Sequence, residues 1–415
     1  MSVSFRFARP DEVHDVGRLS AHSFPGLART PDWWADQLAT PRFGGGPEIA
    51  WVGEDDGQLV ASCQLHPLRE WVSGAPLPTM GLGTVAIAPT HRKRGLAGRL
   101  VSAALRAARE RGDVASALYP FRVSFYARLG YGLAGEALQY RIPPEALPDS
   151  DERKRVELAE SPEAHAEVRA LYAAWAPTQT GMLVRGERAW EGLLAPPDRG
   201  LVAYRGAGER LEGYALVAYR TDLPPQERFL EVEEMVWTTD SARRGLYAWL
   251  LSLGDQWRQI VLRSLPAHRL GDWISEPRLP LGSAPGWGLW FPSAILVRGP
   301  MFRLVDSAAA WVERTVAAES ALTLALEVQD PQLPENSGSW RLRLEAGRVH
   351  VEQGVGGPED MTLRLDISAL SRIYVGALPP SAAVAAGLAE TDRPERLAAL
   401  DAALALPEPW TFDRF

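Results

Sequence analysis

A short basic loop between a strand and a helix is the part of the sequence best suited to hold a ligand. It runs from an apolar strand end through three adjacent cations into a helix start: Val85, Ala86, Ile87, then Arg92, Lys93, Arg94, then Gly95, Leu96, Ala97 and Gly98. Backbone N–H groups at a helix N-terminus lack partners, and the helix dipole adds positive potential there. The pattern therefore predicts a pyrophosphate cradle, with a solvated basic helix start as the alternative.

Other ligand-binding patterns fit the sequence poorly. Residues 81–86 match G-x-G-x-x-A, but that dinucleotide fingerprint requires a helix at its last residue, and here the glycines enter a strand. The seven histidines have no metal-binding spacing, and no G-x-S-x-G is present. Cys63 is the only cysteine and lies in an apolar alternating stretch, which favours a buried thiol over a nucleophile. We expect no metal and no hydrolase site.

The elements around the basic loop form a mixed α/β pattern over about the first 145 residues. Apolar periodicity predicts helices over 11–24, 31–38, 96–112 and 124–129, and strands over 49–52, 59–68, 80–88, 114–119 and 131–142. This order places the basic loop directly after a central strand.

The next region repeats this layout weakly. Residues 235–250 follow residues 85–100 at a constant offset of 150, and Arg94, Gly95, Leu96 and Leu100 match Arg244, Gly245, Leu246 and Leu250. A predicted helix over 162–175 and strands over 200–204, 211–219 and 259–262 keep the same order. We expect an internal duplication, joined to the first copy by a linker at residues 143–155.

A third region begins near Met301 and has a different pattern. Strands are predicted over 322–328, 338–344, 348–353 and 361–366, with helices over 307–316, 367–375 and 380–388. Aromatic residues close to the end of the chain, Trp410 and Phe412, predict a docked terminus. A separate α+β domain is expected.

Composition limits the class of protein. The chain has 415 residues, 46% hydrophobic and 23% charged, as expected for a globular protein of several domains. Its formal charge of −8 argues against a nucleic-acid partner, because polyanions are bound by a concentrated positive field. No apolar run reaches about 18 residues, and the first ten residues do not resemble a signal peptide. We therefore expect a cytoplasmic protein without a membrane partner.

Two motifs of the first region resemble signatures of the GNAT (Gcn5-related) N-acetyltransferases. Arg92, Gly95 and Ala97 match R-x-x-G-x-A after a strand, and residues 125–131, FYARLGY, resemble F-Y-x-x-x-G-F/Y. The resemblance implies acetyl-CoA as co-substrate, with pantetheine beside the strand edge from Val85 to Ile87 and pyrophosphate on the amides of residues 92–98. It also implies that Tyr126 protonates the departing thiolate, whereas a purely structural aromatic residue is the alternative.

The whole chain resembles the enhanced intracellular survival (Eis) family of GNAT enzymes. This implies two tandem GNAT-like mixed-sheet domains and a C-terminal sterol-carrier-protein-like α+β domain, with expected limits at 1–145, 146–298 and 299–415. In the second copy Ala242 replaces the motif arginine and Tyr247 the small residue, so we expect that copy to be degenerate and unable to bind coenzyme A. The resemblance further implies a homohexamer.

The same resemblance implies that the chain's own terminal carboxylate, here that of Phe415, acts as general base, with Tyr126 as general acid. A packed apolar terminus without a role in proton transfer is the alternative.

The acceptor implied is a primary amine on a small molecule, which includes polycations such as aminoglycosides. Arg414 puts a cation beside the terminal carboxylate and residues 23–26 offer no acid, so Asp32, Asp36 and Asp413 are left as compensating acids. Acetylation of a protein lysine, and a non-catalytic role in which the third domain holds an apolar ligand, are the alternative functions.

Overall fold

The computed structural model describes residues 3–194, 198–276, 292–317, 319, 321–354, 356–357 and 360–415. Contacts divide the chain into two compact units. The first consists of Met1–Gly135, Gln179–Ala189 and Pro300–Phe415, and the second of Glu136–Thr178 and Trp190–Gly299. Among the described residues, no helix is both long and apolar enough to cross a membrane.

The first region of the chain contains six strands and four helices. In chain order they are β1 (Ser4–Phe7), α1 (Val13–Ser23), α2 (Pro31–Ala39), β2 (Ala50–Asp55), β3 (Gln58–Val72), β4 (Ala75–Ile87), α3 (Leu96–Arg111), β5 (Ala115–Leu118), α4 (Val123–Ala127) and β6 (Gly132–Leu133). The predicted helices are present here with changes of a few residues at their ends. Strand β4 begins five residues earlier than predicted, and β1 was not predicted. Helix α3 ends at Gly112, whose left-handed φ of 91° lets its N–H bond back to the last turn.

The second region contains β7 (Glu136–Ile142), β8 (Val156–Leu158), α5 (Pro162–Trp175), α6 (Glu187–Leu194), β9 (Arg199–Arg205), β10 (Leu211–Arg220), β11 (Phe229–Trp237), α7 (Asp240–Leu251), β12 (Ile260–Ser264) and β13 (Ile295–Arg298). The expected linker is wrong as a description of residues 143–155. They form two short 3-10 turns in which Ala146 and Leu147 are buried, and Gly245 of α7 packs against the carbonyl of Glu152.

The third region contains β14 (Met301–Leu304), α8 (Ser307–Glu313), β15 (Ala321–Gln329), β16 (Gly338–Glu345), β17 (Arg348–Gln353), β18 (Met361–Asp366), α9 (Ile367–Tyr374), α10 (Pro380–Ala385), β19 (Ala389–Thr391) and α11 (Leu397–Leu404). Its sheet has the order β17-β16-β15-β18-β19. Leu326, Leu342 and Tyr374 from this region share one buried apolar cluster with Leu77 and Ala117 of the first region. The two regions therefore fold around a common core.

The first two sheets have the same strand order. The first is β1-β2-β3-β4-β5-β14-β6, and the second, read in the equivalent direction, is β8-β9-β10-β11-β12-β7-β13. Each contains a strand that the sequence places in another region, because β14 lies between β5 and β6 and β7 lies between β12 and β13. Our expectation that residues 131–142 close the first sheet is thus wrong for β7, and residues 301–304 complete it instead. Such long-range pairing leaves no local signal in the sequence.

Candidate active site

The first sheet opens into a wedge between β4 and β5. The two strands pair in parallel only from Thr79 to Gly81, opposite Ala115 to Ala117. Farther along β4, Thr84 and Val85 form a bulge opposite a single residue of β3, and Thr84 has a left-handed φ of 49°. Within the described chain, the β5-facing edge of β4 has no strand partner from Gly83 onward. This edge can therefore pair with an extended ligand.

The basic loop at the end of β4 forms an open concavity of backbone. Lys93 and Gly95 both have positive φ, at 59° and 72°, an alternation that turns successive N–H groups toward one point. Gly95 is the N-cap of α3 and supplies no side chain to the first amides of the helix. A Cβ built on Gly95 or Gly98 meets nothing within 4 Å, so the surface over these amides is open. The geometry suits an anion bound to the start of α3.

The three cations of the loop are all exposed, but Arg92 differs from Lys93 in its contacts. Lys93 is exposed. Arg92 turns back, and its guanidinium donates to the carbonyl of Ile87 at 3.3 Å and to that of Ser23 at 3.5 Å. Arg92 therefore joins the end of β4 to the end of α1 and shapes the loop.

Tyr126 lies in the short helix α4, next to the wedge. Its side chain is 3% exposed and packs between Phe125, Phe121 and Tyr131, with ring centroids 4.9, 5.6 and 6.0 Å away. Burial, reinforced by Tyr131 and Cys63, raises the pKa of Tyr126 above its ordinary value. The phenol is therefore protonated at physiological pH, as a proton donor must be.

The glycine of the motif at residues 125–131, Gly130, lies where a side chain would collide with Arg303. Its φ is 85°, and a Cβ there would lie 1.6 Å from Nη1 of Arg303. That arginine is fully buried, pairs with Asp330 at 2.7 Å and donates to the carbonyl of Leu129. The glycine of F-Y-x-x-x-G thus makes room for a buried ion pair from the third region.

Phe415 lies at the point where β4 and β5 separate. A Cβ on Gly81, the last paired residue of β4, would come within 2.9 Å of the Phe415 ring. Tyr119 and Phe43 surround the ring at centroid distances of 5.4 and 6.4 Å. Phe415 has no hydrogen-bond or ion-pair partner in the described part of the chain. The prediction of a docked terminus is confirmed by this placement.

Glycine at alternate positions of β4 lets the side chains of Phe415 and His66 pack directly against the strand. Gly81 and Gly83 face the same side of the sheet, and a Cβ on Gly83 would approach Nε2 of His66 to 3.1 Å. His66 is 7% exposed, and its ring lies 6.5 Å from that of Phe415. Burial, with a smaller effect of Arg111, lowers the pKa of His66 to about 4, so the imidazole is neutral at physiological pH. The imidazole beside Phe415 is therefore uncharged.

Comparison with known proteins shows to which family the chain belongs. Models of GNAT acetyltransferase domains match residues 4–134 and 181–298, and a sterol carrier protein domain model matches residues 308–412. The N-acetyltransferase Eis of Mycobacterium tuberculosis is 28% identical over 99% of this chain and 98% of its own length. The protein is an Eis-like N-acetyltransferase of the GNAT family.

Solved structures show the same fold over the full length. A GCN5-related N-acetyltransferase from Anabaena variabilis superposes with a TM-score of 0.83 at 22% identity, and Eis1 from Mycobacterium abscessus with 0.76 at 22%. Both alignments cover 100% of each chain. The predicted fold class, two GNAT-like domains and a sterol-carrier-protein-like domain, is confirmed.

A buried ion pair near the end of the chain could not be predicted from the sequence. Arg185 lies in residues 179–189, which belong to the first unit although they follow α5 in the chain. It forms an ion pair with Asp413 at 2.9 Å, and both side chains are 0% exposed. Asp413 is therefore unavailable as an acceptor-binding acid, and that expectation is wrong. No sequence signal joins two residues so far apart.

Proposed function

We propose that the protein transfers an acetyl group from acetyl-CoA to a primary amine of a small molecule by direct attack. The observation that carries this proposal is the wedge between β4 and β5, with the basic loop at one end and Phe415 and Tyr119 near its vertex. This arrangement suits an extended thioester that binds with its phosphates on α3 and its acyl group at the strand divergence.

Donor binding is assigned to the strand edge and the loop. Val85, Ala86 and Ile87 offer backbone groups to pantetheine, and the pyrophosphate is held by amides of residues 92–98, the stretch that contains Arg92, Lys93, Arg94, Gly95, Leu96, Ala97 and Gly98. Support comes from the open surface above Gly95 and Gly98 and from the exposed Lys93. The second copy is proposed not to bind coenzyme A.

Proton transfer is assigned to Tyr126 and the terminal carboxylate of Phe415. As the amine attacks the thioester carbon, the C–S bond breaks, Tyr126 donates a proton to the departing sulfur, and the carboxylate accepts the amine proton. A free terminal carboxylate has a pKa of roughly 3.3–3.7. It is therefore ionised at pH 7 and acts by accepting a hydrogen bond, directly or through water.

The first test is thiol release from acetyl-CoA across a panel of primary amines, polyamines, aminoglycosides and lysine peptides. Turnover with small amines but not with peptides supports the proposal, and activity confined to peptides favours the protein-lysine alternative. Isothermal titration with acetyl-CoA is the second test. If acetyl-CoA does not bind at millimolar concentration, the proposal that the protein is an acetyl-CoA-dependent enzyme is contradicted.

Tyr126→Phe tests the acid directly. We expect kcat to fall about 100-fold while KM for acetyl-CoA is unchanged, because the phenol contributes to the chemical step. Tyr131→Phe is the matched control, since its hydroxyl is also buried and bonds to Ser116 at 2.7 Å. Equal kcat values for the two variants would remove Tyr126 from the mechanism.

The space between α8 and the sheet of the third domain gives no support to an apolar-ligand carrier. The space between α8 and the sheet, lined by residues that include Trp311, Leu326, Trp340 and Val351, has no volume for even a water-sized molecule. A lipid chain would require this core to open.

A cytoplasmic homohexamer is proposed for the assembled enzyme on the basis of its family likeness. Exposed apolar residues on the end strands of the second sheet, Leu158 on β8 and Ile295 and Leu296 on β13, are 49–65% exposed and supply surface for association. Sedimentation velocity tests this proposal: a monomer at micromolar concentration would contradict it.

A further inference from the structure

Residues 180–185 are fastened to the edge of the first sheet. Gly181 donates to the carbonyl of Trp71, Trp71 donates to the carbonyl of Met182, and Val184 donates to that of Arg69, each at 2.8 Å. Through these hydrogen bonds a short antiparallel segment pairs with the end of β3. Arg185 follows immediately and is therefore held at a fixed place in the first unit.

The end of the chain is fastened to the same segment. The N–H of Trp410 donates to the carbonyl of Thr180 at 2.9 Å. Gly181 has a φ of 95°, and a Cβ there would lie 2.6 Å from the carbonyl oxygen of Trp410. The two backbones therefore approach more closely than any other residue at position 181 would allow.

Asp413, three residues after Trp410, is also held by several contacts. Nε of Arg185 donates to both carboxylate oxygens, at 3.1 and 2.9 Å, and Nη2 of Arg42 lies 3.4 Å from Oδ1. The hydroxyl of Tyr119 donates to the backbone carbonyl of Asp413. A fully buried ion pair resists displacement, because separating its members leaves an uncompensated charge.

The position of Asp413 restricts that of Phe415. Consecutive Cα atoms are about 3.8 Å apart, so two residues reach at most about 7 Å. Arg414 between them is exposed, whereas the Phe415 ring is enclosed by Tyr119, Phe43 and His66. Displacement of Asp413 would therefore carry the last residue out of the wedge.

We propose that the Arg185–Asp413 pair is a positioning device: it holds Phe415, whose ring lies against Gly81 at the vertex of the wedge, and so fixes where its terminal group can lie. This inference rests on the proposed function, in which that terminal group takes the amine proton. Arg185 and Asp413 touch neither the donor nor the amine. They act through Phe415, and Tyr119 assists by holding the carbonyl of Asp413.

A double-mutant cycle on the full chain tests the proposal. The four proteins are the parent, Asp413→Asn, a chain extended by one glycine after Phe415, and the combination. We expect each single change to lower kcat at least 10-fold with KM for acetyl-CoA within twofold, because the donor cradle lies at the other end of the wedge. In the extended chain, Asp413→Asn should lower kcat by less than twofold further.

The matched control is Glu12→Gln. Glu12 is also nearly buried, and it accepts from Arg6 of the edge strand β1 at 2.7 and 2.8 Å. This variant should lower the melting temperature and keep kcat within twofold. If Asp413→Asn fails to fold, Tyr119→Phe replaces it in the cycle, with an expected loss of about threefold in kcat that also disappears in the extended chain.

The outcomes separate the two proposals. Full activity of the extended chain contradicts the terminal base and, with it, the positioning role. An inactive extended chain with a fully active Asp413→Asn overturns the positioning role alone. Equal losses from Asp413→Asn in both backgrounds place its effect elsewhere in the fold and also overturn it.

Discussion

The two GNAT copies share a strand order but differ at the position of the donor cradle. In the first copy α3 begins at Leu96, after an open loop, whereas α7 begins at Asp240, six positions earlier in the 150-residue alignment. The side chain of Thr239 accepts from the N–H of Ala242 and caps α7, while Gly95 provides no such cap to α3. In the second copy, a side chain of the protein therefore occupies the helix N-terminus that is open in the first copy.

Lys93 of the first copy and Arg243, its equivalent in the second copy, show the same contrast. Lys93 is exposed beside the cradle, whereas Arg243 is buried over the ring of Trp273, with its guanidinium 4.1 Å from the centroid. Trp237 and Tyr247 complete this enclosure at 5.3 and 5.6 Å. A cation that is exposed in one copy, where we propose that it serves the donor, is thus a core residue in the other.

Strand β11 continues the pattern. Where β4 has Gly81 and Gly83, β11 has Glu231 and Glu233 at the same offset. Glu231 is paired with Arg220 at 2.6 Å and with Arg263 at 3.2 Å. The difference teaches that a GNAT sheet keeps its topology whether this face carries glycines packed under Phe415 and His66 or glutamates held in ion pairs.

The largest effect is expected from a substitution in the donor cradle of the first copy. Gly95→Asp should weaken acetyl-CoA binding by at least about 100-fold, because a carboxylate beside the pyrophosphate is repelled. Isothermal titration measures this. Gly95→Asn has nearly the same shape and also tolerates positive φ, so it should lose much less affinity.

Gly245→Ala supplies the equivalent change in the second copy. A Cβ there would lie 2.6 Å from the ring of Tyr204, so the melting temperature should fall while the KM for acetyl-CoA stays constant. A changed KM would mean that the second copy also contributes to donor binding.

Arg243→Ala and Lys93→Ala should have opposite consequences. The first removes a buried side chain from its aromatic enclosure and should cost about 2–4 kcal/mol of stability with unchanged acetyl-CoA affinity. The second should leave the melting temperature unchanged and weaken acetyl-CoA binding about 3- to 10-fold, the effect of one exposed cation near a helix terminus. Thermal unfolding and titration of both variants decide this, and a stability loss in Lys93→Ala would contradict the comparison.

Buried acids give the smallest contrast. Glu70 on β3 is buried with Oε2 unpartnered among the described residues, and burial raises its pKa from 4.5 to about 8. Between these pH values the folded state keeps a proton that the unfolded state releases, so stability falls as pH rises. Glu70→Gln should therefore raise the melting temperature at pH 8 and have little effect near pH 4.

Glu231→Gln is the matched variant for Glu70→Gln. Because Glu231 has two arginine partners, its neutralisation should lower the melting temperature at pH 8. The same sign for both variants would show that the buried acids of the two copies are equivalent after all.

The features that local sequence predicts are those made by neighbouring residues. The loop from Arg92 to Gly98 and the helix behind it follow from spacing alone, and so does the duplication at residues 235–250. The substitutions from which we predict a degenerate second copy, Ala242 and Tyr247, are visible in the sequence. The enclosure of Arg243 by Trp273 is not, because a ring that comes from a distant loop has no periodic signal.

Non-local pairing accounts for the rest. The strands β7 and β14 read as ordinary apolar segments, and their partners lie in sheets built mainly from other parts of the chain. Arg185 and Asp413 are separated by 228 positions. Their charges alone do not reveal that they meet in the interior.

The place of β14 has a consequence for how the chain acquires its fold during synthesis. The edge of β5 that receives β14 is complete by Leu118, yet its partner begins at Met301. Until the ribosome has made that later segment, the catalytic sheet has an unpaired edge of the kind that invites aggregation. Closing so distant a pairing is slow, so maturation of the donor site should follow translation of the entire second copy, and chaperone dependence should be greatest for chains arrested before residue 301.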